Sequence, residues 1–168
     1  MREVTERHAP APSAPQPTRA AESFEDVYQR ESLGMVRLAF LMVGSKPQAE
    51  EIAQDAFAKL LERWSSTRQP GAYLRTCVVN GCRRARRRRA LERRVAAREP
   101  APGPVGLGED DLIDALTALP PKRRAAIVLR YYDDLSEAEI ADVLRVRPGT
   151  VKSLVSRRLA QMREVIER

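Results

Sequence analysis

Histidine and cysteine are nearly missing from this chain of 168 residues, which has one His and two Cys. Cys77 and Cys82 stand five positions apart, so on a helix they point in different directions. With His8 far away near the N-terminus they make no metal-ligand set, and two thiols make no disulfide framework. They are expected to be packing residues of a protein in a reducing cytoplasm. Aromatic residues are only 5% of the chain, which favours helices over strands. No apolar run approaches the ~20 residues of a membrane-spanning helix, and the N-terminus lacks the apolar core of a signal peptide. No Ser/His/Asp or Cys/His arrangement is evident. The chain is therefore read as a protein without catalysis of its own, without a cofactor and without a metal.

Charge is what the sequence has in quantity: 32% of residues are charged, and the formal net charge is +7. Its distribution says more than its sum. Residues 75–98 hold ten Arg and one Glu, a local +9. Residues 145–168 hold seven basic and two acidic residues, a local +5, which leaves −7 for the remainder of the chain. Two positive patches on an otherwise acidic protein predict two contacts with a polyanion and a separate surface for a different partner.

The second patch coincides with the most specific pattern in the chain. Residues 135–163 read LSEAEIADVLRVRPGTVKSLVSRRLAQMR. Ser136 can cap a first helix, with Glu139 at the capping-box position. Ile140, Ala141, Val143 and Leu144 give that helix an apolar side. Arg145, Val146 and Arg147 are short enough to form a turn, and Pro148 suits the first turn of the next helix. Val151, Val155, Leu159 and Met162 recur at three- and four-residue spacing as one buried stripe. Arg147, Thr150, Lys152, Ser153, Ser156 and Arg157 lie in the turn or off that stripe and are expected to reach phosphates and base edges. This is a helix-turn-helix, whose second helix fits the major groove of DNA.

Upstream, the pattern is helical throughout. Residues 1–22 are rich in Pro, Ala and small polar residues and are expected to be a disordered tail. A largely apolar helix over 23–43 includes Phe24, Val27, Tyr28, Leu33, Val36, Leu38, Leu41 and Met42, with Gly34 expected to loosen its middle. Gly44 ends it, and Ser45 with Gln48 forms the next capping box. The helix over 49–64 puts Ile52, Ala56, Phe57, Leu60, Leu61 and Trp64 on one side. Its mainly acidic other side is a docking face in a basic protein. After a polar loop at 65–70, a helix over 71–89 starts apolar and ends RRARRRR, which is expected to hold a nucleic-acid backbone. A Pro/Gly-rich linker spans 92–108. Two further helices follow, 109–119 with Leu112, Ile113, Ala115 and Leu116 inward, and 121–132. The fold class is all-α: two small helical domains, 23–91 and 109–168, joined by a flexible linker, the C-terminal one a four-helix domain ending in the helix-turn-helix.

In order and spacing, these blocks resemble the bacterial extracytoplasmic-function (ECF) sigma factors of the sigma-70 family, which keep only sigma regions 2 and 4. AEEIAQDAFAKLLERW is similar to region 2.2, GAYLRTCVVNGCRR to region 2.4, and ALTALPPKRRAAIVLRYYDDLSEAEIADVL with RPGTVKSLVSRRLAQMR to regions 4.1 and 4.2. The resemblance covers nearly everything after the tail, and the linker is too short for a region 3 domain. It implies a cytoplasmic specificity subunit of RNA polymerase. Glu51, Gln54, Asp55 and Lys59 would dock on the polymerase β′ clamp, with Phe57 packing inward. Ser66, Arg68, Tyr73, Asn80, Arg83, Arg84 and Arg87 would meet the promoter −10 element and help hold a flipped base of it. Arg147, Thr150, Lys152, Ser153, Ser156 and Arg157 would read the −35 element, and the β flap would contact the C-terminal domain. An anti-sigma factor is a common partner in this group. Three positions depart from the family pattern: Tyr73 where Trp is common, Arg83 where an acid is common, and Leu154 where Arg is common. The competing reading is a stand-alone helix-turn-helix regulator, against which the +9 helix argues.

Overall fold

The computed structural model describes residues 22–95 and 110–156, and among them it contains seven α-helices and one 3-10 turn. The tail, most of the linker and the chain beyond Ser156, including Arg157, Leu159 and Met162, lie outside the described residues.

Helix α1 is Phe24–Val43. Its start is held by a reciprocal cap: the Ser23 hydroxyl accepts from the Asp26 backbone N–H at 3.1 Å, and the Asp26 carboxylate accepts from the Ser23 backbone N–H at 3.1 Å. Two orphan donors of the first turn are thereby satisfied. It ends at Gly44, whose φ of +72° is the left-handed conformation open to glycine at no steric cost, and the Gly44 N–H donates to the Phe40 carbonyl at 2.8 Å. The helix continues through Gly34 without interruption, contrary to the expected loosening. Two of its apolar residues do not reach the core: Leu33 is 70% exposed and Tyr28 is 44% exposed. A helix packed by neighbours on one side keeps an outer stripe, and apolar residues on that stripe stay wet. Tyr28 nonetheless sets its ring edge-on against Phe57 at 4.9 Å.

Helix α2, Lys46–Glu62, begins three residues earlier than its periodicity predicts, with Pro47 in its first turn. Ser45 stands at the cap position but makes no side-chain cap bond, so the expected Ser45–Gln48 box does not form. The buried stripe is Ala49, Ile52, Ala53, Ala56, Phe57 and Leu60. Leu61, expected in that stripe, is 58% exposed, because one further step turns a side chain by about 100° away from Leu60. Trp64 opens the 3-10 turn Trp64–Ser66 and meets Phe24 edge-on at 5.5 Å.

Helix α3, Pro70–Val95, is longer than expected and runs four residues into the stretch read as linker. Leu74, Val78, Val79, Cys82 and Ala85 are buried along it. Burial reaching Ala85 means that the arginine-rich half still packs on one side. Cys82 is a core thiol that desolvation pushes up to about 12, and Cys77 is half-buried. Helices α1, α2 and α3 pack on one another as a three-helix unit.

The second unit comprises α4 (Asp110–Ala118), α5 (Pro121–Tyr131), α6 (Glu137–Leu144) and α7 (Pro148–Ser156). Ala125, Ile127, Val128 and Leu129 of α5 are buried as expected. Leu112, expected inward, is 44% exposed, because α4 faces α1 through the neighbouring Ile113 and Thr117. The two units are not separate. α4 and α5 pack on α1, and α6 packs on α3, so the buried side chains form one cluster from Val27 to Val151. Gly44 is one point of closest approach: a β-carbon there would meet the Ile113 and Thr117 methyls at 3.3 Å.

Candidate nucleic-acid interface

The helix-turn-helix is built from its caps inward. Ser136 accepts from the Glu139 backbone N–H at 3.3 Å, and the Glu139 carboxylate accepts from the Ser136 N–H at 2.8 Å and from its hydroxyl at 2.6 Å. These bonds to the ionised form hold the Glu139 carboxyl below the usual carboxylate range. Ile140, Ala141, Val143 and Leu144 are buried. Arg145 ends α6 in the left-handed conformation, φ +52°, and its N–H bonds back to the Ala141 and Asp142 carbonyls. That single reversal turns the chain into α7. Val151 of α7 is fully buried, and Leu154 and Val155 pack half-buried against the core. Leu154, where a basic residue is common, thus serves packing. α7 is seated on α5 and α6, which leaves Arg147, Thr150, Lys152, Ser153 and Ser156 exposed together. The Ser153 hydroxyl donates to the Thr150 carbonyl at 2.8 Å, which leaves its oxygen with acceptor capacity. Five of the six residues expected to face DNA here are exposed on α7 and the turn before it, and the sixth, Arg157, lies outside the described residues.

A second surface is carried by α3 and the turn before it. Ser66 and Arg68 are exposed in that turn, where the Ser66 and Thr67 hydroxyls both donate to the Arg63 carbonyl, at 3.0 and 2.8 Å. On α3, Tyr73, Asn80, Arg84 and Arg87 fall at seven-, four- and three-residue steps on one face, with Arg83 beside them. Arg84 and Arg87 are exposed, and Tyr73, Asn80 and Arg83 are half-buried. Tyr73 packs half-buried against the core, and its phenol is pushed up, first by desolvation and then by its contact with the Cys77 thiol. On α2, Glu51, Gln54 and Asp55 are exposed and Lys59 is half-buried, while Phe57 is turned inward. This acidic face and the arginine face are neighbours: Glu51 and Asp55 line a groove whose other wall carries Arg84 and Arg88. The arrangement can hold two stretches of phosphate backbone and, beside one of them, a basic or mixed protein surface.

Sequence reasoning missed the residues that join the two units. The Arg75 Nε donates to the Asp133 carboxylate at 2.9 Å. The Arg124 side chain, 2% exposed, donates through Nη1 to the Met42 carbonyl at 2.6 Å. One signal was available for Arg124: it precedes Ile127 and Val128 by three and four positions and so shares their buried face.

Comparison with known proteins bears on the family and the fold. The family described as Sigma-70 region 2 matches residues 27–92, and that described as Sigma-70, region 4 matches residues 109–162. The RNA polymerase sigma-E factor of Streptomyces antibioticus is 31% identical over 152 residues, covering 86% of this chain and 84% of that protein. The ECF RNA polymerase sigma factor SigW of Bacillus subtilis is 28% identical over 158 residues, covering 81% and 84%. Among solved structures, the sigma factor RpoE of Bartonella quintana, crystallised with the anti-sigma factor NepR, superposes with a TM-score of 0.73 at 23% identity, covering 86% of this chain and 96% of that one, and so shares the fold.

Proposed function

The chain belongs to the ECF sigma factors of the sigma-70 family, which act in promoter-specific transcription initiation by RNA polymerase, and on that premise we propose a division of labour among its three surfaces. The α2 face of Glu51, Gln54, Asp55 and Lys59 docks on the polymerase β′ clamp. Ser66, Arg68, Tyr73, Asn80, Arg83, Arg84 and Arg87 engage the −10 element as it opens, with an unstacked base captured beside the 3-10 turn to offset part of the cost of melting. Arg147, Thr150, Lys152, Ser153, Ser156 and Arg157 read the −35 duplex from the major groove, and the β flap contacts the C-terminal unit. An anti-sigma partner, such as NepR is for the Bartonella quintana protein, belongs to this reading.

The observation that carries it is the groove shared by α2 and α3. The acidic docking face and the arginine face are held side by side by one helix pair, so docking on polymerase presents α3 to the DNA that polymerase holds. The test is binding of the purified chain to bacterial core RNA polymerase, followed by transcription from a promoter library. Tight binding with promoter-specific transcripts is expected. Sequence-specific duplex binding with no polymerase binding would replace this reading with that of a stand-alone regulator.

A further inference from the structure

Half of the chain's eight aromatic residues (three Phe, four Tyr and one Trp) meet in one place, and they are not all buried there. Phe24 and Tyr28 of α1 lie nearly parallel, at 28°, with ring centroids 6.4 Å apart. Phe24 meets Trp64 edge-on at 5.5 Å and Phe57 edge-on at 6.4 Å, and Tyr28 meets Phe57 at 4.9 Å. Phe57 is buried beneath the others. Phe24 and Trp64 are half-buried, and Tyr28 is exposed. Leu61, also exposed, stands four positions after Phe57 on α2 and so continues the same side of that helix. The start of α1 and the end of α2 thus share an open apolar patch of fixed rings.

Two polar atoms in the patch are uncommitted. Neither the Tyr28 hydroxyl nor the Trp64 indole N–H makes a hydrogen bond among the described residues. Packed tyrosine and tryptophan usually find a partner for that polar tip. Flat aromatic faces with donors beside them suit a polyproline II segment. Its pyrrolidine rings pack on the faces, and its carbonyls, which have no internal hydrogen bonds, accept from the donors.

The chain itself supplies such a segment. Residues 9–17 read APAPSAPQP, with the spacing PxxP from Pro12 to Pro15. Residues 9–18 carry no charge in a chain that is 32% charged, so the acidic α2 face and the arginine face of α3 are not their match, whereas the aromatic side chains are neutral. A stretch of this composition cannot bury a core of its own and gains apolar contact only on a surface outside itself. Its point of attachment is at the patch. Ser23 has φ −80° and ψ 159°, backbone of the polyproline II kind, and the next residue is Phe24. Residues 18–22 span up to ~16 Å when extended. Ser23 to Tyr28 is only ~7.5 Å along α1, and a bare turn round the helix is of the same order as its ~10 Å diameter, so Pro17 can reach Tyr28. We propose that the patch of Phe24, Tyr28, Leu61 and Trp64 is a docking site for a proline-rich segment, and that its occupant is this chain's own residues 9–17. The docked segment lies beside the 3-10 turn Trp64–Ser66 and gives the N-terminal residues a place in the three-helix unit. The proposal goes beyond the division of labour above and does not depend on it.

Trp64 is the chain's only tryptophan, so its emission reports on the patch. The first variant is the full chain with Pro10, Pro12, Pro15 and Pro17 all replaced by Gly, positions outside the described helices. Its Trp64 emission should shift to the red, and quenching by acrylamide should increase over wild type. A synthetic peptide of residues 8–18, added to that variant at about 1 mM, the effective concentration that a short linker supplies, should reverse both changes. The same peptide with Gly for each Pro should not. A nitroxide on a cysteine placed at Ala14, in a Cys77→Ser background with Cys82 buried, should broaden the Trp64 indole NMR signal equally at every protein concentration. Tyr28→Ala should remove that broadening, and Tyr28→Phe, which keeps the ring, should retain most of it. Unchanged emission and quenching in the proline variant, no reversal by the peptide, no broadening from the Ala14 label, or broadening undiminished in Tyr28→Ala would each overturn the docking site. Broadening that grows with protein concentration would assign the patch to the tail of a second copy and overturn the occupant named here.

Discussion

Ile52 of α2 occupies the space that a β-carbon on Gly81 of α3 would need: its Cγ2 lies 2.8 Å from that point. The docking helix and the arginine helix thus approach more closely than any larger residue at position 81 permits. Gly34, in the middle of α1, has nothing within 4 Å of the same point. Alanine at the two positions should therefore act in opposite directions. Gly34→Ala should stabilise by up to about 1 kcal/mol through helix propensity. Gly81→Ala gains the same propensity but overpacks Ile52, at a cost of about 1–3 kcal/mol, and should be a net loss. Urea denaturation midpoints of the two variants decide it, and Ile52→Val should recover part of the Gly81→Ala loss.

Ser136→Ala should cost about 1 kcal/mol by removing the cap of α6. The pH dependence follows from the same bonds. Asp26 and Glu139 are both held below their ordinary values, first by the serine hydroxyl each accepts from and then by the serine N–H. A depressed folded value means stability that is complete above the unfolded value, 3.8 for Asp26 and 4.5 for Glu139, and that is lost as pH falls through the folded one. Asp133 has the opposite sign. Desolvation raises it, Arg75 opposes that, and Glu31 adds to it, so its contribution favours the folded form at low pH and declines as pH rises through the raised value. Denaturation across the acid range should show stability rising with pH, with a shallower slope in Glu139→Gln and a steeper one in Asp133→Asn.

Arg145 holds a left-handed conformation without being glycine. An L side chain there costs about 1–2 kcal/mol, and Arg145→Gly should recover part of it. Thermal unfolding of the variant should move upward while its affinity for −35 duplex changes by no more than the removal of one surface charge explains.

The three surfaces should separate by mutation. Lys152→Ala is expected to weaken binding to −35 duplex and to leave core polymerase affinity unchanged. Asp55→Ala is expected to do the reverse. Paired titrations of each variant against labelled duplex and against core polymerase read both quantities, and an Asp55→Ala protein with undiminished polymerase affinity would refute the docking face.

Arg84 and Arg87 are exposed on one face of α3. Neutralising both should reduce the dependence of log affinity on log salt by about 0.7–0.9 for each phosphate that the variant no longer neutralises. Arg86, half-buried and close to Arg124, should change that slope less and stability more. A salt series on promoter DNA with the two sets of variants distinguishes phosphate binding from packing.

Local chemistry made much of this molecule legible in advance. The Ser136–Glu139 box, the Gly44 stop, the stripe from Ile52 to Leu60 and the exposed row Thr150, Lys152, Ser153 and Ser156 all follow from spacing within one or two helical turns, where periodicity and capping are decisive. Ser45 looked equally capable of a box and forms none, because a residue type permits a bond without compelling it. Leu33, Leu61 and Leu112 were misplaced for a related reason. Periodicity says which residues share a face, but the neighbouring helix sets how wide the buried stripe is. The sequence by itself therefore determined the helices, the Ser136–Glu139 box, the Gly44 stop and the charge of each surface. Only the tertiary structure decided that Arg124 caps a helix 82 residues away in sequence, that Arg75 pairs with Asp133 across 58, and that Gly81 admits Ile52. Those contacts join residues between which no local rule operates; the first two exist because two amphipathic units, each with an apolar side left over, bury more surface together than apart, and the third because two helices of one unit close on each other.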